Sequence, residues 1–398
     1  MTSARCAFGD LYAVPSRNGV SVPKGTRDSG TLMINMGELF RFDRVGDAEM
    51  ARVPLEDEEL AKSLVEPKDL LFARRSLQLS GAGRCAIVAA AREPRTFESS
   101  IIRVRLSPER AVPEFYFYFF KSPAGRRLMD TIVEQAVVAG IRASDLRLLR
   151  VPHPPLEEQR GIAATLGALD DKIESNRGAI RLAQELLGAL YRQPEDRSRV
   201  PASALLRPVL GGTPSRSVAE YWGGPTPWAA AKDVAVADTW FVLQTADGVT
   251  ESGVANSATK VLPAGSIVMT ARGTVGALAR VAEPMAFNQT CYGLMPSEGV
   301  PEGLLFLGLR EAVQRIRGAG HGTVFNTVNM ATFDQIDIDW PRPTAELVAR
   351  IDTLFALILQ RARENDQLAA LRDALLPELL SGRIRVPEAA EAVVDATA

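Results

Sequence analysis

Arginine recurs at the end of a short apolar run in this chain. Asp69–Arg75 reads DLLFARR and Gly265–Arg272 reads GSIVMTAR, and the two align with one residue inserted. Arg74 and Arg75 close the first copy. Arg272 closes the second and runs straight into Gly273-Thr274-Val275-Gly276, where glycine lets the backbone come close to another surface. A guanidinium presented there can fork onto a phosphate or onto the major-groove edge of guanine; the other reading is a solvated or carboxylate-paired arginine. A second patch is formed by Thr213, Pro214, Ser215, Arg216 and Lys232. Its Gly-Gly-Thr-Pro-Ser-Arg string offers hydroxyls, backbone N–H groups and a guanidinium, all suited to phosphate contacts that position a duplex. Tyr221, Trp222, Pro227 and Trp228 fit a framework for that loop better than base stacking.

A reacting centre is harder to find. The sequence has no Gly-x-x-x-x-Gly-Lys-Ser/Thr loop, no His-Glu-x-x-His site and no Gly-x-Ser-x-Gly turn. It also lacks an Asn-Pro-Pro-Tyr-like tetrapeptide of the kind that holds a flipped adenine, and a glycine-rich loop suited to S-adenosylmethionine. His153 sits between prolines, and His321 lies in the Gly-rich stretch Gly318–Thr323 that leads to Asn326. Neither has an evident partner, and no catalytic role is assigned to them. Cys6, Cys85 and Cys291 are isolated and odd in number, which suggests neither a disulfide framework nor a zinc site and fits a reducing compartment. The expectation is no catalysis by this chain alone, no metal and no cofactor. Recognition remains.

The elements that must position these residues are organised around two long helices. From Pro152 to Gln193, the residues Ile162, Leu166, Leu169, Ile173, Ile180, Ala183, Leu187 and Leu190 alternate in steps of four and three, with Asn176 filling the one gap. That is a heptad seam. Pro154-Pro155 and Glu157-Glu158 announce the helix, the acidic pair complementing the exposed N–H groups of its first turn, and it stops before Pro194. The register returns 189 residues later as Ile351, Phe355, Ile358, Ala362, Asn365, Ala369, Leu376 and Leu379, with Arg372 as the misfit. Asp145–Pro154 likewise aligns with Asp334–Pro343. The chain is therefore an internal duplication. Asn176 and Asn365 fall at the midpoints, so antiparallel pairing would place the two amides side by side on a pseudo-twofold axis. At about 1.5 Å per residue, roughly 35 residues of helix span about 50 Å and could hold two domains apart. Two separate helices, each packed on its own domain, is the plainer alternative.

The ordered motifs resemble the specificity subunit of type I restriction-modification systems. In the first copy they are Pro152, Pro154, Pro155, Leu156, Glu158 and Gln159; Leu379–Ile384 closes the second. Between them, Gly212–Arg216, Tyr221–Gly224, Pro227-Trp228 and Arg272–Gly276 follow in the family's order. The second helix departs from the pattern with Thr344-Ala345-Glu346-Leu347, and the first globular half lacks a Thr-Pro-Ser opening. The resemblance implies that each globular half is a target recognition domain for one half of a split, asymmetric DNA site, with the helices as spacer. It also implies two docked modification subunits that bind S-adenosylmethionine and methylate adenine. A motor-nuclease subunit using ATP with Mg would join where cleavage occurs. Outer helix residues such as Glu158, Gln159, Arg177 and Arg181 would meet these partners.

Composition sets the outer limits. With 398 residues and 46% hydrophobic content there is enough chain for two or three packed domains. The net charge of −2 gives no global signal for nucleic acid, so any binding must rest on local patches. No apolar run approaches the roughly 18 residues of a membrane span, and no signal-like start appears, so a cytoplasmic location is expected. Short runs such as Thr31–Met36, Asp69–Ala73, Ala86–Ala91 and Ile101–Leu106 predict strands, while Glu114–Phe120 starts a buried helix continuing towards Met129. The fold class is α+β: two mixed α/β globular domains joined by two long antiparallel coiled-coil helices in an internal pseudo-twofold repeat. The segments are a first globular half to residue 151, a helix at 152–193, a second half at 194–342, a helix at 343–384 and a tail at 385–398. The competing functional reading is a helical adaptor that binds proteins through its globular halves.

Overall fold

The computed structural model describes residues 4–23, 29–134, 138–318 and 327–397. Its contacts divide the chain into two compact units, Met1–Lys172 with Leu368–Ala398, and Ile173–Gln367.

In the first unit, a five-stranded sheet has the order Arg17–Asn18, Ile101–Val104, Leu70–Ala73, Cys85–Val88, Arg44–Val45. Its three inner strands read IIRV, LLFA and CAIV and are buried throughout, the near-continuous apolar pattern of strands covered on both faces. All neighbours are antiparallel except Arg44–Val45, which runs parallel to Cys85–Val88. A three-stranded sheet, Ala51–Val53, Thr31–Ile34 and Arg95–Phe97, adjoins it. Helix Pro113–Lys121 buries six consecutive aromatic residues, Phe115–Phe120. It is shorter than the sequence suggested: Ser122 ends it, and Pro123 opens a separate helix to Asp130 whose Gly125 N–H donates to the Ser122 hydroxyl at 3.1 Å.

The second unit repeats this plan. Its five-stranded sheet has the order Leu206–Leu210, Cys291–Pro296, Ile267–Thr270, Leu278–Val281, Phe241–Val242. The last strand is again the parallel one. The smaller sheet recurs with an added strand, as Asp247–Val249, Trp222–Ala229, Met285–Phe287 and Val261–Leu262. Helix Glu302–Gly318 takes the place of the aromatic helix. The duplication read from the helices therefore extends to the sheets.

The long helices are Leu156–Arg192 and Ala345–Ser381, 37 residues each. Along the first seam Ile162, Leu166, Leu169, Ile173, Ile180, Ala183, Leu187 and Leu190 are at most 4% exposed; along the second, Ile351, Phe355, Ile358, Ala362, Leu376 and Leu379 are at most 5%. Asn176 Nδ2 donates to Asn365 Oδ1 at 3.1 Å. Earlier on the first helix Asp170 meets Arg372, later on the second. One index falls as the other rises, so the helices run antiparallel, with equivalent residues of the two repeats meeting at the amides. Leu368, not the expected Ala369, is the buried residue of the next layer. The stretch read only as a tail forms a 12-residue helix, Val386–Thr397. Ala389 and Val393 are its buried face. It comes so close to the first long helix that a Cβ on Gly161 would lie 2.9 Å from Val386, and Lys172 Nζ donates to the Thr397 carbonyl at 2.9 Å.

Candidate nucleic-acid interface

In the second unit, indole N–H groups shape the Gly-Gly-Thr-Pro-Ser-Arg loop. Trp228, 5% exposed, donates Nε1–H to the Gly212 carbonyl at 3.0 Å, and Trp222 donates to the Ser215 carbonyl at 3.1 Å. The rings pack edge to face at 5.1 Å, a favoured aromatic geometry. Over them lies Arg216, its Cζ 3.5 Å from the Trp222 ring centroid and its Nη2 2.7 Å from Asp247 Oδ2. The hydrogen bond from Arg216 holds the Asp247 carboxyl below its usual range. Arg216 is thus both stacked and ion-paired, whereas Lys232, on the short helix Ala231–Ala235, is exposed and adds positive field at Asp247. Pro214 is buried and shapes the loop from within; Ser215 is exposed and shares a hydrogen bond with Ser217 at 2.8 Å. Thr213 bonds Gln289.

That last contact leads to the other patch. Gly212 N–H donates to the Phe287 carbonyl at 3.0 Å and Gly211 N–H to Cys291 at 3.2 Å, while Ala271 N–H donates to Thr290 at 2.8 Å. The segment from Phe287 to Cys291 therefore ties the Thr213 loop to the hairpin between Ile267–Thr270 and Leu278–Val281. Gly276 N–H to the Thr270 carbonyl at 2.9 Å closes the hairpin, with Gly273 and Gly276 at φ +76° and +75°. Both conformations favour glycine. Nothing lies within 4 Å of where a Gly273 Cβ would be. Arg272, Gly273 and Thr274 are all exposed. Among the described residues Arg272 takes no hydrogen bond or ion pair.

The matched hairpin of the first unit separates its two arginines. Arg74 is half-buried, donating from Nη1 to the Ser99 carbonyl at 3.2 Å, which ties the turn to the neighbouring strand. Arg75 is exposed on the short strand Arg75–Ser76, which pairs with Ala139–Gly140. Leu77, just beyond, is 88% exposed. Of the two, Arg75 is the one free to reach a ligand.

On the helices, Glu158, Arg177 and Arg181 are exposed, and Arg177 pairs with Glu174 at 2.5 Å. Gln159 is not on an outer face. It is fully buried, donating Nε2–H to the Pro154 carbonyl at 2.8 Å and accepting from Val112 N–H at 2.9 Å, so its amide fastens the helix start to the approach to helix Pro113–Lys121. Glu158 instead borders a cavity of 860 Å³ in the first unit, where Pro154, Pro155 and Leu156 converge with Leu380, Ser381 and Gly382. Sequence reasoning missed two exposed leucines one turn apart, Leu182 and Leu186, 66% and 43% exposed. Their helical spacing was legible; that none of the described residues covers them was not.

Arg372 finds its reason in the first unit. Its Nη1 donates to Asp170 Oδ1 at 2.7 Å, the Tyr118 hydroxyl donates to Asp170 Oδ2 at 2.7 Å, and Arg44 bonds Asp171 at 2.5 Å. Burial, with the Asp170 carboxylate beside it, drives the Tyr118 phenol far upward, so it stays a donor. His153 lies within 3.2 Å of the Tyr116 hydroxyl. His321 and Asn326 lie outside the described residues. Among those described, no group of His, Cys, Asp or Glu could hold a metal, no helix is long and apolar enough to cross a membrane, and burial pushes the Cys291 thiol up to about 12.

Comparison with known proteins follows the duplication. The model of the type I restriction modification DNA specificity domain matches residues 43–183 and again 209–371. The type I restriction enzyme MjaIX specificity subunit of Methanocaldococcus jannaschii is 24% identical over 161 residues, covering 40% of this chain and only 37% of that protein. A putative type I restriction enzyme MjaX specificity subunit of the same organism is 21% identical, covering 93% of this chain and 91% of its own. Among solved structures, the type I restriction-modification S subunit from M. genitalium superposes with a TM-score of 0.59 at 15% identity, covering 94% and 95% of the two chains.

Proposed function

Because the chain belongs to the family of type I restriction modification DNA specificity domains, whose model it matches twice, we propose that it is the DNA-reading subunit of a type I restriction-modification complex. Each recognition domain reads one half of a bipartite, asymmetric site, and the paired helices set the gap between the halves. The observation that carries this reading is the repeated hairpin that ends an inner strand in an exposed arginine, Arg75 in one unit and Arg272 in the other. Thr213, Ser215 and Lys232 supply phosphate contacts beside Arg272, and the Trp222–Trp228 pair holds Arg216 in place for the same role.

In this reading the chain performs no chemistry. Two modification subunits bring S-adenosylmethionine and methylate adenine on the half-sites, and a restriction subunit brings ATP and Mg where the system also cleaves. The modification subunits dock on the helices. Exposed Arg177 and Arg181 beside uncovered Leu182 and Leu186 support that, since an apolar strip flanked by charge is what a protein partner covers, and Glu158 is exposed near the start of the same helix. A cytoplasmic setting follows from the substrate.

The test has two arms. Affinity for duplex DNA, titrated against salt, falls steeply if phosphates are bound, because neutralising them releases counterions; a salt-independent affinity would leave a protein-binding adaptor. Methylome sequencing with and without the gene then reveals a split motif, or fails to and refutes the assignment.

A further inference from the structure

The helix seam holds two polar layers that differ in symmetry. Asn176 and Asn365 are equivalent positions of the repeats, 189 residues apart. Their amide pair would form as well between two copies of the first helix, or two of the second, as between one of each. It fixes register and direction and is blind to identity. Asp170 and Arg372 are not equivalent. Moving on by the same offset from Asp170 reaches Leu359, and moving back from Arg372 reaches Ala183, both packed in the apolar core of the second unit.

Two first helices laid together would set Asp170 against Ala183 twice, and two second helices would set Arg372 against Leu359 twice. Either arrangement takes from a desolvated charge its partner across the seam, leaving Arg372 only Asp373 on its own helix, at 2.8 Å, and Asp170 only its neighbours on the globular side, since the side chains of Asp170 and Arg372 are only 10% and 15% exposed where they meet at 2.7 Å. Tyr118 and Arg44 hold the carboxylate from the globular side, Arg44 Nε lying 3.8 Å from it. They pin Asp170 in the seam. We propose that the Asp170–Arg372 pair is the discriminator by which the first helix accepts this chain's own second helix and rejects the first helix of another copy. The partner this face fits is thus one particular half of the repeat, chosen by a clash against the other.

The double substitution Asp170→Leu, Arg372→Ala tests this directly. It gives each helix a leucine at the first of the two positions and an alanine at the second, so native and self-paired layers become the same. The full chain, carrying Cys6→Ser and the reporter Asn176→Cys, is refolded at high protein concentration under mild oxidation. With Asp170 and Arg372 in place, disulfides between the reporters of two chains are expected at background. The double substitution raises them about tenfold or more, as expected when a penalty of stranded charge is lifted, and Arg372→Lys stays at background. Equal yields with and without the pair overturn the proposal. If circular dichroism shows that the double variant does not refold, Asp170→Leu alone is read in the same assay, because it lifts the penalty from first-helix self-pairing; a background yield there overturns the proposal as well.

Discussion

Arg272→Ala separates recognition from folding with little ambiguity. Arg272 is exposed on a hairpin tip and unpaired among the described residues, so its removal strips solvated side chain and should change stability by less than about 0.5 kcal/mol. The cost in binding depends on what the guanidinium touches. Forked onto a guanine edge, it is worth about 1–3 kcal/mol, roughly 5- to 150-fold in Kd, and the loss is confined to duplexes carrying that base. Set against a phosphate, its removal lowers the slope of log K against log salt by about 0.9, which between roughly 50 and 200 mM salt is a change of about 3.5-fold on every sequence. Arg216 makes a useful contrast. It is already stacked on Trp222 at 3.5 Å and paired with Asp247, the two charged side chains 53% and 40% exposed, so Arg216→Ala should cost stability on the order of 1 kcal/mol before any DNA is added. The assay is fluorescence anisotropy on a duplex selected from a random pool and on a scrambled one, at two salt concentrations, with thermal melting as control. An Arg272→Ala protein with unchanged melting, unchanged Kd and unchanged salt slope on both duplexes would refute the assignment of this hairpin to DNA.

Three further outcomes follow from the packing. Gln159→Ala leaves the half-buried Val112 N–H without its acceptor and should lower stability by about 1–3 kcal/mol in urea unfolding; a neutral result would mean the amide does not join helix to domain. Trp228→Phe keeps most of the ring but loses the bond to Gly212, so about 1 kcal/mol of stability and part of the DNA affinity should go together, checked by melting and the same anisotropy titration. Asp43 is half-buried, and its partial desolvation alone would raise its carboxyl, but Lys121 at 2.5 Å and then Arg84 outweigh that and hold it below the ordinary value. The unfolded carboxyl therefore binds its proton first, so this contribution is present above about pH 4 and lost as pH falls through the folded value. Acid unfolding of Asp43→Asn should be shallower than that of the unsubstituted chain, and identical curves would exclude Asp43 as a contributor.

What the sequence revealed was whatever repeats at a short period or recurs at a fixed offset. The heptad steps located the seam, and the 189-residue offset brought Asn176 to Asn365. The inner strands were legible because they are apolar throughout. Three features lay beyond that reach. Gln159 belongs to a motif shared with relatives, and nothing in its type says whether its amide faces solvent or the Pro154 carbonyl. Arg216 looked free because Asp247, which occupies it, lies 31 residues away on the strand Asp247–Val249. Arg372 looked like a flaw in the seam because its carboxylate is 202 residues distant. In each case the deciding contact was polar, for Arg216 and Arg372 long-range as well, and polar pairing leaves no periodic trace.

The division of the chain has a consequence for how the protein is made. The unit built from Ile173–Gln367 is contiguous, so a ribosome delivers everything it needs in one uninterrupted passage. The other unit closes with Leu368 onward, including the helix that rests on Gly161. Its early residues must wait, unsealed, while the later-encoded unit is synthesised and folds, which reverses the usual N-terminal-first order of domain folding.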